Sequence, residues 1–325
     1  MKDVELKMIE RAKALLESGE VARVVGWKKG DFCFDPSPAV FETVEELKDF
    51  VYDYFCGANL SKYLIQVSKK EGKTAVFLKP CDTYSFNQLV KEYRIKRENV
   101  YVIAVECLGK LDIEKIKGNG IVGVTGVEVV GKDVNVTSAY GNATLYKPDV
   151  VLTKCATCTK THVAKDEEII LHEREAKDVN RFEEVEKLEA MTADERFAFW
   201  REQLSKCIRC NACRNVCPAC SCLKCVFDNP ASGIAAKAND DQFEEQLFHV
   251  IRAFHVSGRC TDCGECSRVC PQNIPLHLLN RKFIKDIDGL YGEYQAGEES
   301  EGKTPLTSFT EGDSEVNDVV YGEAK

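Results

Sequence analysis

The sequence carries one cysteine-rich phrase in two copies with the same cysteine spacing. CIRCNACRNVCP occupies residues 207–218, and CTDCGECSRVCP occupies residues 260–271. In each copy three cysteines are separated by two residues, and a fourth stands directly before a proline. Thiolate sulfur is a soft ligand, and closely spaced cysteines let backbone N–H groups point toward an anionic group held between them. The two copies therefore predict two inorganic centres in this part of the chain.

The spacing of both phrases is that of bacterial two-cluster ferredoxins, in which the cysteine before the proline binds the other cluster. This rule predicts two [4Fe-4S] clusters with crossed ligand sets. The predicted ligands of cluster 1 are Cys207, Cys210, Cys213 and Cys270, and those of cluster 2 are Cys260, Cys263, Cys266 and Cys217. A pair of zinc sites is the alternative, but zinc ligands come in pairs and not as triplets with a distant fourth.

The cysteine count also bears on the compartment. The chain has 325 residues, 17 of them cysteines, and it is long enough for two domains. Its first 18 residues follow an amphipathic helix pattern interrupted by charges, which is not typical of an export signal. No apolar run approaches the ~18 residues that cross a bilayer. We therefore expect a cytoplasmic protein without a membrane span, in which metal binding is favoured over disulfides.

The net charge of −9 is concentrated near the C-terminus. Residues 286–325 contain eleven acidic and two basic residues, which account for −9 by themselves. The rest of the chain is close to neutral, so the sequence shows no basic surface for nucleic acid. We expect protein partners and no nucleic acid.

Periodicity in the first part of the chain predicts an α/β domain with a short parallel or mixed sheet. The capping box at Thr43 predicts a helix over 42–55. Apolar runs predict strands over 74–80 and 100–107, with a helix over 83–94 between them, and residues 121–140 are expected to be rich in β-structure. The strand, helix, strand order predicts a parallel pair with a right-handed crossover.

The second part of the chain is predicted to be a mainly α-helical domain of bacterial ferredoxin type. A capping box at Thr192 begins one helix, and helical spacing predicts others over 241–255 and 276–287. The predicted divisions are an α/β domain over 1–159, a charged connector over 160–195, a ferredoxin-type domain over 196–287 and an acidic tail over 288–325.

Four further cysteines follow predicted strands or an apolar run. Cys81 follows the strand over 74–80, Cys107 ends the next strand, and Cys155 and Cys158 form a CATC sequence after DVVLT. The carboxyl ends of parallel strands meet at one edge of a sheet, where α/β proteins bind ligands. These four residues are therefore candidates for one site, with four buried structural cysteines as the alternative.

These residues resemble a known family, the beta subunits of deazaflavin-reducing hydrogenases and formate dehydrogenases. The resemblance rests on Pro80-Cys81, Cys107 and Lys154-Cys155-Ala-Thr-Cys158, and it covers about residues 40–160. Residues 200–280 resemble the ferredoxin domain fused to such subunits in anaerobic electron-transfer complexes. The resemblance implies a third [4Fe-4S] cluster, cluster 3, held by Cys81, Cys107, Cys155 and Cys158.

Three cysteines just after the first phrase leave two interpretations open. Cys220, Cys222 and Cys225 are either ligands of a further cluster or zinc site, completed by Cys33 or Cys56, or neighbours of the first cluster without a ligand role. For Cys33 and Cys56, apolar packing is the favoured interpretation. On the predicted helix over 241–255, His249 and His255 either donate hydrogen bonds to cluster sulfur or are packed or solvated.

The functional hypotheses follow from the clusters and the resemblance. The resemblance implies an electron-transfer subunit of an anaerobic oxidoreductase complex of the hydrogenase, formate dehydrogenase or heterodisulfide reductase type. Such a subunit relays single electrons between a flavin site on a neighbouring subunit and a second partner, with soluble ferredoxin as another candidate partner. The alternative is a catalytic subunit that binds FAD and oxidises or reduces a deazaflavin or NAD(P)H. The sequence has no G-x-G-x-x-G after a strand and no P-loop, so no such motif supports a flavin or dinucleotide site.

Overall fold

The computed structural model describes residues 1–159, 163–164, 166–170, 179–229, 231 and 242–308. The chain divides into two compact units. Unit 1 comprises Met1–Thr83 and Ile95–Val179, and unit 2 comprises Tyr84–Arg94 and Asn180–Lys325. No helix within the described ranges is long and apolar enough to cross a membrane. The expected domain boundaries after residues 159, 195 and 287 stay predictions, and most of the acidic tail, 309–325, lies outside the described residues.

The elements of the first part of the chain alternate between helices and strands. In chain order they are α1 (Lys2–Glu17), β1 (Arg23–Lys28), β2 (Ser37–Phe41), α2 (Leu64–Val67), β3 (Thr74–Leu78), α3 (Pro80–Lys91), β4 (Val100–Val105), α4 (Ile113–Gly118), β5 (Val124–Val130), β6 (Asp133–Ser138), β7 (Gly141–Tyr146), α5 (Lys147–Val150), α6 (Thr153–Ala156) and β8 (Glu168–Ile170). Short 3-10 helices occupy Glu45–Asp49, Ser61–Tyr63 and Arg97–Asn99.

Unit 1 is built on a mixed five-stranded sheet in the order β2-β1-β3-β4-β8. β1 and β2 are antiparallel, whereas β1, β3, β4 and β8 run parallel. All five residues of β3 are buried, as expected for a central parallel strand covered on both faces. The predicted parallel pair is confirmed, because β3 and β4 pair in register from Thr74 opposite Val100. The α/β class predicted for this part of the chain is therefore correct.

A second, antiparallel sheet in unit 1 has the order β5-β6-β7. Val134 and Val136 of β6 alternate with exposed residues, so one face of this sheet packs on a core and the other faces solvent. Leu111, Ile116 and Val150 complete that core, and Cys155 joins it. The β-rich stretch predicted over 121–140 is confirmed by β5 and β6.

The helix predicted over 42–55 is wrong. Only Glu45–Asp49 is helical, and it is a 3-10 helix. Phe50 adopts an extended backbone and bridges to Lys28 at the end of β1. Its ring fills the space above Gly26, where a Cβ would lie 2.4 Å from a ring carbon. The burial of this ring therefore overrides the local helical signal, which is a weak preference.

Unit 2 is mainly helical, as predicted. Its further helices are α7 (Glu183–Glu189), α8 (Ala193–Leu204), α9 (Ala212–Asn215), α10 (Gln242–His255), α11 (Glu265–Arg268) and α12 (Leu276–Tyr291), with 3-10 helices at Val226–Asp228 and Pro305–Thr307. α10 packs against α8 and α12, and α9 contacts α11. The predicted capping box is confirmed, because Thr192 Oγ1 accepts from Glu195 N at 3.3 Å and Glu195 Oε2 accepts from Thr192 N at 2.9 Å.

Residues 84–94, most of α3, belong to unit 2. Ser85 Oγ lies 2.9 Å from Thr261 Oγ1, the residue after the first cysteine of the second phrase. The carboxylate of Glu92 accepts from Arg259 Nε at 2.7 Å. These contacts connect one face of α3 to the loop that carries the second phrase.

Candidate metal centres

The two cysteine phrases of unit 2 have the same backbone shape. The third residue of each phrase has a positive φ, 49° at Arg209 and 56° at Asp262. The fifth residue also does, 60° at Asn211 and 67° at Gly264. A single helical turn follows in each case, α9 with Cys213 and α11 with Cys266. The repeated phrase in the sequence is therefore also a repeated loop in the structure.

This loop shape directs backbone donors toward thiols. Arg209 N donates to Cys207 Sγ at 3.3 Å. At the equivalent place in the second phrase, Asp262 N makes a backbone hydrogen bond to the thiol of Cys260. Successive backbone N–H groups in turns of this kind form a concavity suited to anions. Each loop is thus shaped to hold a negatively charged group next to its cysteines.

Thiols of the two phrases pack together. One apolar cluster contains cysteines of both phrases, namely Cys207, Cys213, Cys266 and Cys270. A second cluster contains Cys217 and Cys260. The thiol of Cys213 interacts electrostatically with those of Cys210 and Cys270, and that of Cys260 does so with those of Cys217 and Cys263. Each cysteine that precedes a proline therefore lies beside cysteines of the other phrase, as crossed ligand sets require.

Helix α10 presents a row of buried polar residues to these thiols. Glu245, His249 and Arg252 are 3%, 1% and 2% exposed, and their spacing places them on one helix face. His249 Nε2 lies 3.2 Å from Cys207 Sγ, and Glu245 Oε2 accepts from Arg209 Nε at 2.8 Å. Burial lowers the pKa of His249 to about 3, so its imidazole is neutral.

Of the two histidines considered from the sequence, only His249 meets a cysteine of the phrases. That cysteine, Cys207, belongs to the predicted cluster 1. His255 is exposed, and its ring centroid lies 6.4 Å from that of Phe227. Sequence reasoning missed Glu245 and Arg252. The available signal was the recurrence of polar residues at positions four and three apart on the apolar face of a helix.

On this helix face, buried polar atoms without a hydrogen-bond partner fit an anionic group. Among the described residues, Arg252 Nε and Nη1 and His249 Nδ1 are buried without a hydrogen-bond partner. Arg252 interacts instead with four thiols, those of Cys213, Cys217, Cys220 and Cys266. A buried cation without a counter-charge is destabilising by several kcal/mol. A [4Fe-4S] cluster with four thiolates is anionic, so these residues fit clusters at the predicted positions.

The second candidate group lies in unit 1, after β3 and β4. Cys81 is in the first turn of α3, Cys107 follows β4, and Cys155 lies in α6 with Cys158 just beyond it. The thiol of Cys155 interacts with those of Cys107 and Cys158, and that of Cys81 interacts with that of Cys158. The structure therefore brings together the four cysteines that the resemblance implies for cluster 3.

Buried lysines surround this group. Lys79 and Lys110 are each 1% exposed. Lys79 Nζ donates to Asp82 Oδ2 at 2.7 Å and to Ala58 O at 2.6 Å. Lys110 Nζ donates to the neutral carbonyl of Asp53 at 2.6 Å, and its backbone N lies 3.4 Å from Cys155 Sγ. Burial lowers the pKa of Lys110, and the nearby Cys107 and Cys56 thiols oppose that change. An anionic cluster among these thiols would balance the buried positive charge.

The three cysteines after the first phrase lie in different surroundings. Cys220 packs with Cys217, whose pKa a hydrogen bond from the Cys220 thiol lowers to about 6. Cys225 packs beside Phe227 and Phe248, and Cys222 is exposed. This separation favours the interpretation of these residues as neighbours of the predicted clusters over a further site of their own.

Apolar packing was expected for two other cysteines, Cys56 and Cys33, and the structure differs between them. Cys56 is fully buried, and its Sγ lies 3.4 Å from Asp53 Oδ1, so it is packed as expected. Cys33 is exposed, so the same expectation is wrong there. Its neighbours Phe32 and Phe34 stack on each other with ring centroids 5.2 Å apart and leave the thiol uncovered.

Comparison with known proteins identifies the region that contains both cysteine phrases. Residues 203–274 match the protein family described as "4Fe-4S dicluster domain". The same part of the chain is rich in thiols, and 17 cysteines occur overall. Together these findings make this an iron–sulfur protein of the oxidoreductase and electron-transfer kind that binds more than one [4Fe-4S] cluster. They neither support nor exclude FAD.

Similar proteins are known from methanogens and from a bacterium. "F420-dependent formate dehydrogenase subunit beta" of Methanocaldococcus jannaschii is 23% identical over 337 residues, which cover 86% of this chain and 88% of the relative. "F420-dependent formate dehydrogenase 1 subunit beta" of Methanococcus maripaludis is 32% identical over 109 residues, 32% of this chain and 28% of the relative. "Putative ferredoxin-3" of Sinorhizobium fredii is 34% identical over 79 residues, 24% of this chain and 75% of the relative.

A solved structure of the F420-reducing [NiFe] hydrogenase complex from Methanosarcina barkeri is similar at 15% identity with a TM-score of 0.35. The match covers 48% of this chain and 63% of that chain. The resemblance noted in the sequence is confirmed by the alignment that spans most of the chain. The chain is a homologue of the beta subunit of F420-dependent formate dehydrogenase and carries a 4Fe-4S dicluster domain.

Proposed function

We propose that this protein is the iron–sulfur electron-transfer subunit of a multi-subunit oxidoreductase complex of the formate dehydrogenase or F420-reducing hydrogenase type. It relays single electrons between a flavin site and a partner subunit. The observation that carries the proposal is the pair of cysteine loops with the same backbone shape, in a chain that aligns over 86% of its length with a formate dehydrogenase beta subunit. No nucleophile, general base or dinucleotide motif in the sequence points to an independent catalyst.

The ligand sets proposed for unit 2 follow the crossed arrangement of the thiols. Cys207, Cys210, Cys213 and Cys270 hold cluster 1, and Cys260, Cys263, Cys266 and Cys217 hold cluster 2. The packing of Cys270 with Cys207 and Cys213 supports the first set, and the packing of Cys217 with Cys260 supports the second.

A third cluster is proposed for unit 1, with Cys81, Cys107, Cys155 and Cys158 as its ligands. The mutual interactions of these thiols and the buried charge of Lys110 support it. When bound, a [4Fe-4S] cluster accepts or releases one electron at a time. The chain itself holds the thiolates in place and supplies the positive charges and N–H groups that balance the negative charge.

The second candidate function is a catalytic subunit that binds a flavin and reacts with a deazaflavin or NAD(P)H. The observation that favours it is the description of two relatives as F420-dependent. Flavin content separates the two candidates. If protein purified anaerobically with its native partners contains stoichiometric flavin that stays with this chain after the subunits are separated, the catalytic role is favoured. Flavin retained only by another subunit favours the relay.

Metal content of the anaerobically purified chain tests the proposal directly. We expect about 8 iron and 8 sulfide per chain for the two clusters of unit 2, and about 12 of each with cluster 3. We also expect the reduced protein to show EPR signals of interacting [4Fe-4S] clusters. Stoichiometric zinc in place of iron would refute the electron-transfer role.

A further inference from the structure

Arg252 is a deeply buried cation among the cysteines of unit 2. It lies on α10, between the two cysteine phrases in the sequence, and it is 2% exposed. It interacts with the thiol of Cys213 from the first phrase and with that of Cys266 from the second. It also interacts with the thiol of Cys217, the ligand proposed to cross between the loops. One side chain therefore interacts electrostatically with proposed ligands of both clusters.

The charge of Arg252 has no carboxylate partner among the described residues. Glu245, on the same face of the same helix, is paired with Arg209 at 2.8 Å. The other buried arginine of unit 2 that lies near the phrases, Arg281, has such a partner in Asp262 at 2.8 Å. Thiols instead surround Arg252, and its Nε and Nη1 groups are buried without an acceptor. An arginine keeps its charge even when buried, because its guanidinium does not lose a proton in proteins.

We propose that Arg252 sets the reduction potentials of both dicluster-domain clusters, by placing a buried positive charge and free N–H donors near the sulfur ligands of each. This inference rests on the proposed ligand sets. A one-electron reduction adds one negative charge and no proton, so a fixed cation in a low-dielectric site stabilises the reduced form more than the oxidised form. Arg252 therefore raises both potentials.

The structure distinguishes this role from that of His249. His249 Nε2 lies 3.2 Å from Sγ of Cys207, a proposed ligand of cluster 1, so this imidazole acts on one proposed cluster. Arg252 carries a full charge and reaches both. Its planar fork offers several donors in fixed directions, which a lysine ammonium does not reproduce. Arg252 is a positioning and potential-setting residue and not a ligand, since it has no lone pair to donate to iron.

Potentiometric titration monitored by EPR tests the inference, with Arg252→Gln as the main variant. We expect the variant to keep the wild-type iron content. The equilibrium constant for one-electron reduction of each dicluster-domain cluster should fall at least about tenfold, equivalent to a reduction potential lower by about 59 mV. Arg201→Gln is the matched control. It removes the same charge from an exposed position on α8, where water and salt screen it, so the potentials should stay at their wild-type values.

Arg252→Lys separates charge from geometry. It should recover most of the lost potential, because the positive charge remains. An Arg252→Gln protein with full iron and unshifted potentials would overturn the inference while leaving the proposed electron-transfer function intact. A wild-type protein without iron would instead overturn the proposed function.

A second measurement keeps the inference testable if the glutamine variant does not assemble. Wild-type protein labelled with guanidino-¹⁵N arginine should show a ¹⁵N hyperfine coupling to the reduced dicluster signals by pulsed EPR. The coupling should disappear in labelled Arg252→Lys. Equal ¹⁵N coupling in both proteins, or none in the wild type, would overturn the inference.

Discussion

At the scale of single residues, burial opposes the ionisation of several thiols of unit 2 in the absence of a metal. Burial raises the pKa of Cys266 to about 11 and that of Cys207 to about 12. Iron binds the thiolate and releases the proton, so metal binding and deprotonation of these residues are coupled. A buried, protonated thiol is a poor nucleophile. These cysteines are therefore suited to metal binding and unsuited to disulfide exchange.

Loss of one proposed ligand should remove one cluster. In Cys213→Ser we expect iron to fall by about four per chain, because Cys213 is buried among the other proposed ligands of cluster 1. Iron analysis and EPR of the anaerobic variant measure this change. Cys33→Ser is the control, since Cys33 is exposed and should leave the iron content unchanged. An unaltered iron content in Cys213→Ser would contradict the ligand assignment.

The equivalent test for unit 1 is Cys158→Ser. About four irons should be lost while the EPR signals of the two dicluster-domain clusters remain, because none of the ligands proposed for those clusters lies in unit 1. The two measurements must be made on the same preparation. If iron stays at the wild-type value, cluster 3 does not exist at this position and the four thiols are structural.

At the scale of elements, local signals predicted several helices and the β3–β4 pair, but they also predicted a helix over 42–55 that the structure does not contain. α8, α10 and α12 follow clear caps or apolar periodicity, and β3 and β4 follow buried apolar runs. β8 lies in the segment that was predicted to be a connector, and it was missed. Its three residues form a strand by pairing with β4. Strand propensity depends on such partners, so a short strand beside polar residues leaves no local signal.

The capping box of α8 offers a quantitative test at this scale. Thr192→Ala removes the side-chain oxygen that accepts from Glu195 N, and it should lower the free energy of unfolding of unit 2 by about 1 kcal/mol. Denaturant titration of the anaerobic holoprotein, followed by helical circular dichroism, measures the change. Glu202→Gln near the other end of α8 is the control. It removes only an exposed ion pair with Lys206, so the change should stay below about 0.5 kcal/mol.

At the scale of the whole molecule, the two units differ in how far their cores depend on thiols. The sheet core of unit 1 contains large apolar residues such as Val76, Phe77 and Ile103. Two apolar clusters of unit 2 count cysteines among their buried members, and α10 buries an uncompensated cation. The sequence revealed the eight cysteines of the phrases but not this dependence, because Arg252 and Glu245 look like ordinary surface residues until α10 is packed.

Removal of iron should therefore affect the two units unequally. After chelation, we expect amide hydrogen exchange in α10 and α12 to accelerate at least about tenfold, equivalent to about 1.4 kcal/mol of local stability. β3 and β4 should keep most of their protection. Hydrogen exchange with mass spectrometry measures both units in one sample, and reconstitution with iron and sulfide should reverse the change. Equal loss of protection in both units would show that the apolar sheet core also depends on metal.

The left-handed residues at the third position of each phrase have one more consequence. Arg209 and Asp262 occupy the same bend with side chains of opposite sign, and each is neutralised by a buried partner, Glu245 in one case and Arg281 in the other. The two loops therefore have the same bend, but the positions of the positive and negative side chains are exchanged between them. The two loops thus share a backbone conformation but differ in the arrangement of nearby charges. An electron held at one loop therefore has a different energy from an electron held at the other.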